Sequence, residues 1–291
     1  MAKAPKTTGP IKNEKKANDG KSGNLFASLS IILCFVLGFL IWNYYMGNPD
    51  NFIDGDRENQ PLPGNYPGMV YKAGVVVPIL IGLFLMVWVF SIERFIVINK
   101  ASGTSNVGTF VRKIQQLLSG GNIDQAIAEC DKQKGSVANV VRSGLVKYKE
   151  VSADPTVDTE KASLAIQKEI EETTALEMPM LEKNLNVLAT LVSIGTLTGL
   201  LGTVTGMIRA FAALATGGAP DSAALANGIS EALVNTATGI ATSTFAIILY
   251  NMLTAKIDKL TYSIDEAGFS IVQTYASQHK GTDSIPAQPR I

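Results

Sequence analysis

Charged residues are scarce in this chain of 291 residues: they make up 17% of it, against about 25% in an average soluble domain. The deficit is confined to four windows without any charged residue, at 22–49, 73–92, 184–208 and 232–255. Outside them the charged fraction is normal, at about 26%. Because a helix needs about 20 apolar residues to cross a bilayer, each window is long enough to span a membrane. The chain is therefore predicted to be an integral membrane protein with a sizeable polar part.

Other absences exclude several classes of protein. His279 is the single histidine, and the two cysteines, Cys34 and Cys130, lie far apart, so neither a zinc site nor a disulfide framework is expected. Acidic and basic residues balance at a net charge of zero, which argues against a nucleic-acid surface. The sequence has no GxxxxGK[ST] or GxSxG motif. We expect no cofactor, no metal and no enzymatic activity.

The distribution of charge predicts the topology. Lysines outnumber acids before the first window, so the N-terminus is expected in the cytoplasm. A cleaved signal peptide is the competing interpretation, but the apolar run is long and ends in Trp42-Asn43-Tyr44-Tyr45 instead of small residues. Acidic residues dominate the following loop, and basic residues gather after the second window, at Arg94 and Lys100. Four crossings then place both termini in the cytoplasm.

The predicted fold is all-α, a membrane helical bundle with long helices that project into the cytoplasm. Residues Thr156–Thr216 contain only Pro179 as a helix breaker before Gly195, so they are expected to form one long helix if that proline merely bends it. In chain order the predicted segments are a basic tail expected to be disordered (1–24), a first membrane helix (25–46), an irregular outer loop (47–71), a second membrane helix (72–98), a cytoplasmic helical region (99–183), a third membrane helix (184–216), an outer turn (217–223), a fourth membrane helix with a cytoplasmic extension (224–260) and a cytoplasmic tail (261–291).

Two stripes of residues mark the third and fourth membrane helices. The third carries glycines at helical spacing, which predicts a seam of close helix packing; they are Gly195, Gly199, Gly202 and Gly206. The fourth carries a polar stripe with the same spacing, which either lines a pore or cavity or packs between helices; it consists of Glu231, Asn235, Thr238 and Thr242.

Counting from the turn at Ala219 places Thr203 and Thr236 at one level of the two antiparallel helices. The same count places Arg209 beside Glu231, so Glu231 either forms an ion pair with Arg209 or lines a wet ion path. No acidic residue occurs between Lys183 and Asp221 or between Glu231 and Asp258. An ion path across the membrane would therefore need a second protein to supply a deep carboxylate.

Two strings in these helices, Gly199-Leu200-Leu201-Gly202-Thr203-Val204-Thr205-Gly206-Met207 and Gly228-Ile229-Ser230-Glu231-Ala232-Leu233, resemble the MotA/TolQ/ExbB proton channel family, most closely its ExbB branch. The likeness extends over about residues 72–257, so the first membrane helix is extra. Thr196 departs from the family pattern, where a proline is common, and Arg209 stands where a neutral residue is frequent. The prolines typical of flagellar-stator members are absent from both helices.

The resemblance implies a subunit of the inner membrane of a Gram-negative bacterium that forms a homopentamer around a dimer of a single-span ExbD- or TolR-like partner, which supplies the membrane aspartate. It assigns the ion pathway to Thr203, Thr236 and Glu231, with Asn235, Thr238, Thr242 and Arg209 as further pore-lining candidates. The expected function is an ion-driven motor subunit that powers TonB-dependent transport through a TonB-like protein. A TolQ-like or gliding motor is the nearest alternative, and a secondary transporter or a structural scaffold are more distant ones. The choice between H⁺ and Na⁺ stays open.

Overall fold

The computed structural model describes residues 16–154, 156–215 and 222–279, with side chains from residue 27 onward. The predicted tail at 1–24 lies largely outside these residues, as do most of the predicted turn at 217–223 and the end of the predicted tail at 261–291. Within the described residues the fold is helical, and the β-structure there is limited to an isolated bridge between Phe52 and Pro61. The helices are α1 (Lys16–Leu40), α2 (Tyr66–Lys72), α3 (Val77–Ala101), α4 (Val107–Ser119), α5 (Ile123–Gln133), α6 (Gly135–Ser152), α7 (Thr159–Glu182), α8 (Leu185–Ala215) and α9 (Ser222–His279).

The described residues contain four helices that are long and apolar enough to cross a membrane, in agreement with the predicted all-α membrane bundle. They are Ala27–Met46, Val77–Ala101, Thr159–Ala215 and Ser222–His279, the third of which includes α7 and α8. The chain is thus a multi-pass membrane protein. It divides into two compact units: the first takes Met1–Val89 and Leu191–Thr244, and the second takes Phe90–Thr190 and Phe245–Ile291.

In the first unit α1 packs on α3 through glycine. A Cβ atom on Gly38 would lie 2.7 Å from the carbonyl oxygen of Pro78 and 2.8 Å from the backbone nitrogen of Gly82. Cys34 and Ser30, one and two turns before Gly38, are also buried, so one narrow face of α1 makes this contact. The rest of α1 presents large exposed apolar side chains, as expected of a helix in lipid. Pro78 lies in the first turn of α3, where its missing N–H costs no helical hydrogen bond.

The loop predicted as irregular at 47–71 is more ordered than its proline and glycine content suggests. The last turn of the first span is a π-helix, Ile41–Met46, and two 3₁₀ turns follow at Pro49–Asn51 and Ile53–Gly55 before α2. The second span begins at Val77 instead of residue 72, because α2 ends at Lys72 and Gly74 adopts a φ of +86°. That left-handed conformation breaks the helix between α2 and α3.

The second unit is a bundle of amphipathic helices. Residues 107–118 show an apolar face in the sequence, and its members Phe110, Val111, Ile114 and Leu118 are buried in α4. Burial raises the pKa of the Cys130 thiol on α5 to about 12, whereas the ammonium of Lys113 lowers the pKa of the neighbouring Glu129 carboxyl. Gly144 of α6 allows close contact with Ile170 of α7, whose Cγ1 would lie 2.6 Å from an added Cβ.

The expectation of one unbroken helix through Pro179 is wrong. α7 continues past Pro179 to Glu182, and the break follows at Asn184, which has a φ of +65°. Asparagine tolerates this left-handed conformation better than most residues. The N–H of Lys183 donates to the carbonyl of Pro179, and Arg94 Nη1 donates to the carbonyls of Met180 and Leu181 at 3.1 and 3.3 Å, which completes the end of α7. By contrast, α9 is longer than predicted and includes residues 261–279, which the sequence had suggested as part of a tail.

Candidate functional site

The glycine stripe of α8 lies against α9 inside the first unit. All four glycines, Gly195, Gly199, Gly202 and Gly206, are buried. The two backbones come close together at Gly199 and Gly239, where a Cβ on Gly199 would lie 3.0 Å from the Cα of Gly239. A Cβ on Gly206 would lie 2.8 Å from the backbone nitrogen of Ala232. Small residues thus bring Thr203 of α8 within side-chain reach of the polar face of α9.

Thr203 and Thr236 meet where this seam opens to the surface. Their hydroxyl groups are in direct contact, as the residue count from the turn predicts. Thr203 Oγ1 also lies 3.3 Å from the carbonyl oxygen of Gly199, and both threonines are partly exposed. An open groove of about 650 Å³ runs along α8 from Thr203, lined otherwise by apolar residues that include Ile208 and Phe211. The paired hydroxyls are therefore a polar point at one end of an apolar surface.

Glu231 forms an ion pair with Arg209. Arg209 Nη1 donates to Glu231 Oε1 at 2.6 Å; the side chain of Glu231 is 7% exposed and that of Arg209 is 53% exposed. Gly74 lies against both groups, and a Cβ there would fall 2.9 Å from Arg209 Nη1. The ion pair expected from the sequence is present, and Glu231 also borders a cavity, so its place on an ion path stays a prediction.

The remaining members of the polar stripe are held by the protein backbone. Asn235 is fully buried, and its Nδ2 donates to the carbonyl oxygen of Ala73 at 3.0 Å. Its Oδ1 has no hydrogen-bond partner in the described residues. Thr238 and Thr242 donate to the carbonyls of Val234 and Thr238 at 2.8 and 2.9 Å, one turn back on their own helix. Thr242 is buried and Thr238 is partly exposed, so pore lining by these three residues stays a prediction.

Some contributors to this site were not apparent from the sequence. The carbonyl of Ala73 and the bare backbone of Gly74 come from the corner between α2 and α3, more than 150 positions before Glu231 and Asn235. No short-range pattern reports such a contact. Ser243 also joins the seam, where it accepts a hydrogen bond of 2.8 Å from Thr196. The one sequence signal that points to this corner is a glycine, Gly74, immediately before the apolar run that leads into α3.

Neither α8 nor α9 supplies a titrating acid at the level of the threonines. The charge-free stretches on either side contain no carboxylate, and Glu231 is neutralised by Arg209. Among the described residues no group of three or more His, Cys, Asp or Glu side chains could hold a metal ion. Fold and site together define a multi-pass helical membrane protein with a polar point between two closely packed helices.

The comparison of sequences relates part of this chain to a family. Residues 132–266 match the MotA/TolQ/ExbB proton channel family, which confirms the resemblance of the motifs. This stretch includes Thr203, Arg209, Glu231 and Thr236. It does not include α1 or the segment between α1 and α3. The matching family is described as a proton channel family.

Curated relatives bear both ExbB and TolQ names. The chain is 32% identical over 136 residues to the Tol-Pal system protein TolQ of Pseudomonas aeruginosa, which covers 47% of this chain and 58% of that protein. It is 24% identical over 191 residues to a putative biopolymer transport protein ExbB homolog of Methanothermobacter thermautotrophicus, covering 65% and 63%. With the biopolymer transport protein ExbB of Pseudomonas putida it shares 26% identity over 173 residues, covering 59% and 52%. The chain thus spans less than two thirds of the length of each of these relatives.

Proposed function

We propose that this protein is the channel-forming subunit of an ion-driven motor in the inner membrane of a Gram-negative bacterium, with both termini in the cytoplasm. The observation that carries the proposal is the contact between the hydroxyls of Thr203 and Thr236, partly exposed in a membrane span that has no carboxylate at that level. Hydroxyl pairs of this kind offer both donors and acceptors to a passing proton or a hydrated cation. The ion then reaches a carboxylate supplied by another chain.

That other chain is a single-span ExbD- or TolR-like protein, two copies of which lie inside a homopentamer of this subunit. The apolar groove beside Thr203 is a surface on which such a membrane helix can lie, with its aspartate near the two hydroxyls. Protonation of the aspartate removes a charge that is costly in hydrocarbon, which frees the partner to rotate. Each charge that crosses 100 mV of membrane potential releases about 2.3 kcal/mol, so a step that needs substantially more energy than this requires several protons.

The load we propose is a TonB-like protein that drives transport across the outer membrane. A TolQ-like load that maintains the cell envelope is the second candidate, and the similarity to the TolQ of Pseudomonas aeruginosa supports it. Energy-dependent uptake and sensitivity to detergent, measured in a deletion strain, separate the two. A deletion that abolishes uptake and leaves detergent resistance intact favours the first load, and the opposite pattern favours the second.

The ion path is tested by replacing Thr203 and Thr236 with valine, which preserves shape and removes both hydroxyls. We expect proton flux through the purified complex in liposomes to fall to background, while the complex still assembles. Thr205→Val and Thr244→Val are matched controls on the same two helices, because those hydroxyls donate to carbonyls of their own helix. Flux that is unchanged in the Thr203→Val, Thr236→Val protein contradicts the proposed path.

A further inference from the structure

A cavity of about 200 Å³ lies within the first unit, between residues 60–64 and the N-terminal part of α9. From α9 it is lined by Asn227, Ser230 and the otherwise buried Glu231, and Lys72 and Ala73 border it from α2 and the residue that follows. Water occupies about 30 Å³ per molecule in the liquid, so the cavity has room for several. The carboxylate of Glu231 therefore borders a polar space.

One side of this cavity, its roof, is formed by residues 60–64, which are part of residues 47–76. Residues 47–76 join the first span to α3 and are called here the connecting segment. Hydrogen bonds fix its shape: Asn51 Nδ2 donates to the carbonyls of Tyr45 and Met46 at 3.0 and 2.9 Å, and Asn65 Nδ2 donates to Asn51 Oδ1 at 3.0 Å. Phe52 is 2% exposed and packs edge-on against Tyr71, which stacks on Trp42. The roof is thus a built structure with its own small core.

The floor of the cavity is held by the corner at Ala73 and Gly74. The carbonyl of Ala73 accepts the hydrogen bond from the buried Asn235, one turn after Glu231 on α9. Gly74 leaves space for the carboxylate of Glu231 and the guanidinium of Arg209, both within 3.0 Å of the position that a Cβ would take. The connecting segment therefore touches the ion pair directly through its backbone.

The charges around the cavity suit passage better than storage of a cation. Arg209 neutralises Glu231, and the ammonium of Lys72 is held by the carbonyl of Glu58 at 3.0 Å. A binding site that is too strong would stop conduction, because an ion must also leave it. The uncharged groups of Gln60, Asn227 and Ser230 complete the lining with donors and acceptors for water.

We propose that residues 60–74 of the connecting segment form the entry vestibule of the ion path: water and cations reach the Glu231–Arg209 pair through the cavity beneath residues 60–64. Gly74 is the positioning residue that keeps the pair at the floor of this vestibule. This inference rests on the proposed function, since it names the entrance of the same path. It goes beyond the family match, because the connecting segment lies outside residues 132–266.

The first test is chemical labelling of Ser230→Cys in the assembled complex, because it does not depend on refolding. A methanethiosulfonate reagent that carries a sulfonate cannot cross the membrane, so it reacts only with a thiol in contact with water on its own side. We expect labelling from the side of the connecting segment, and a fall in proton flux of about fivefold or more, since the sulfonate occupies the path. The parent chain is the control, because Cys34 and Cys130 are 1% and 2% exposed. Absence of labelling, or labelling without loss of flux, overturns the proposal.

The second test is Gly74→Ala, whose methyl group would displace the carboxylate of Glu231 and the guanidinium of Arg209. Gly55→Ala is its matched control: Gly55 also has a positive φ, +66°, but no atom lies within 4 Å of an added Cβ. We expect Gly74→Ala to reduce flux in an assembled complex and Gly55→Ala to leave it unchanged. Equal flux in the two variants contradicts the positioning role of Gly74.

The two levels of the proposal fail in different ways. If the Thr203→Val, Thr236→Val protein loses flux but neither Gly74→Ala nor labelled Ser230→Cys does, the channel stands and the vestibule is refuted. If all variants conduct like the parent, the proposed function itself is wrong. Labelling of Ser230→Cys in the double-valine background measures access of water to the cavity without any flux, and we expect the same labelling rate there.

Discussion

A close backbone contact between α8 and α9 makes Gly239 a sensitive position of the seam. A Cβ at this residue would lie 2.7 Å from both the carbonyl oxygen of Gly195 and the Cα of Gly199. Carbon atoms pack best at about 3.5–4.0 Å, so Gly239→Ala must separate the two helices by roughly 1 Å. Overpacking of this kind costs about 1–3 kcal/mol.

Intrinsic helix propensity acts in the opposite direction. Alanine is favoured over glycine by up to about 1 kcal/mol in a helix interior, so the net loss expected for Gly239→Ala lies between about 0 and 3 kcal/mol, with central values of about 1–2 kcal/mol. For a domain of this size each kcal/mol shifts the melting temperature by about 2–4 °C, which predicts a decrease of about 2–8 °C. A lower melting temperature of Gly239→Ala therefore indicates that overpacking dominates, and a higher one indicates that helix propensity dominates.

The melting temperature of the first unit can be followed by tryptophan fluorescence. The sequence has two, and both Trp42 and Trp88 lie in the first unit, so their fluorescence during heating reports the unit that contains the seam. Ala241→Val is the matched control, because Ala241 is exposed on the same helix within the same unit, and its larger side chain should change the melting temperature by less than about 2 °C. A melting temperature of Gly239→Ala equal to or above that of the parent would refute the reasoning.

Two further predictions concern the second unit. Arg94 is 3% exposed and donates to carbonyls in the last turn of α7, so Arg94→Ala should destabilise this unit by about 2–4 kcal/mol and speed tryptic cleavage after Lys183. Arg112→Ala, at an exposed position, should change neither quantity. Equal cleavage rates in the Arg94→Ala protein and the parent would contradict this prediction. Burial raises the pKa of the Cys130 thiol from 9.0 to about 12, so iodoacetamide should alkylate Cys130 at pH 9 much more slowly in the folded than in the urea-unfolded protein. The unfolded chain loses this proton first, so the stabilising contribution should decrease as the pH rises from 9 towards 12, and equal alkylation rates in both states would disprove the shift.

The sequence was most informative where local periodicity determines structure. The apolar face of α4 and the level shared by Thr203 and Thr236 follow from helical spacing alone, because both depend on residues close in the chain or on one short turn. The family strings lie in the same two helices as those threonines. Four spans were predictable for a similar reason, since apolar length is a property of each segment by itself.

Long-range contacts and single backbone conformations were not predictable. A polar stripe looks the same whether it lines a pore or is buried, and only the hydrogen bond to Ala73 shows that Asn235 is held inside the first unit. The break between α7 and α8 depends on the left-handed conformation of Asn184, which competes with a strong helical pattern on both sides. Proline drew attention to residue 179, yet a proline in the last turns of a helix leaves the helix free to continue beyond it.

The contact of Gly38 with Gly82 restricts how copies of this protein can assemble side by side. Wherever α1 covers α3, a neighbouring copy would collide with it, so that face of α3 is excluded as a contact between subunits. Lateral neighbours must then use other helices or the exposed apolar side chains of α1 itself. In the proposed ring of subunits α1 therefore limits the surfaces through which neighbours can make contact, and a protein without α1 would offer its neighbours a face that is covered in this one.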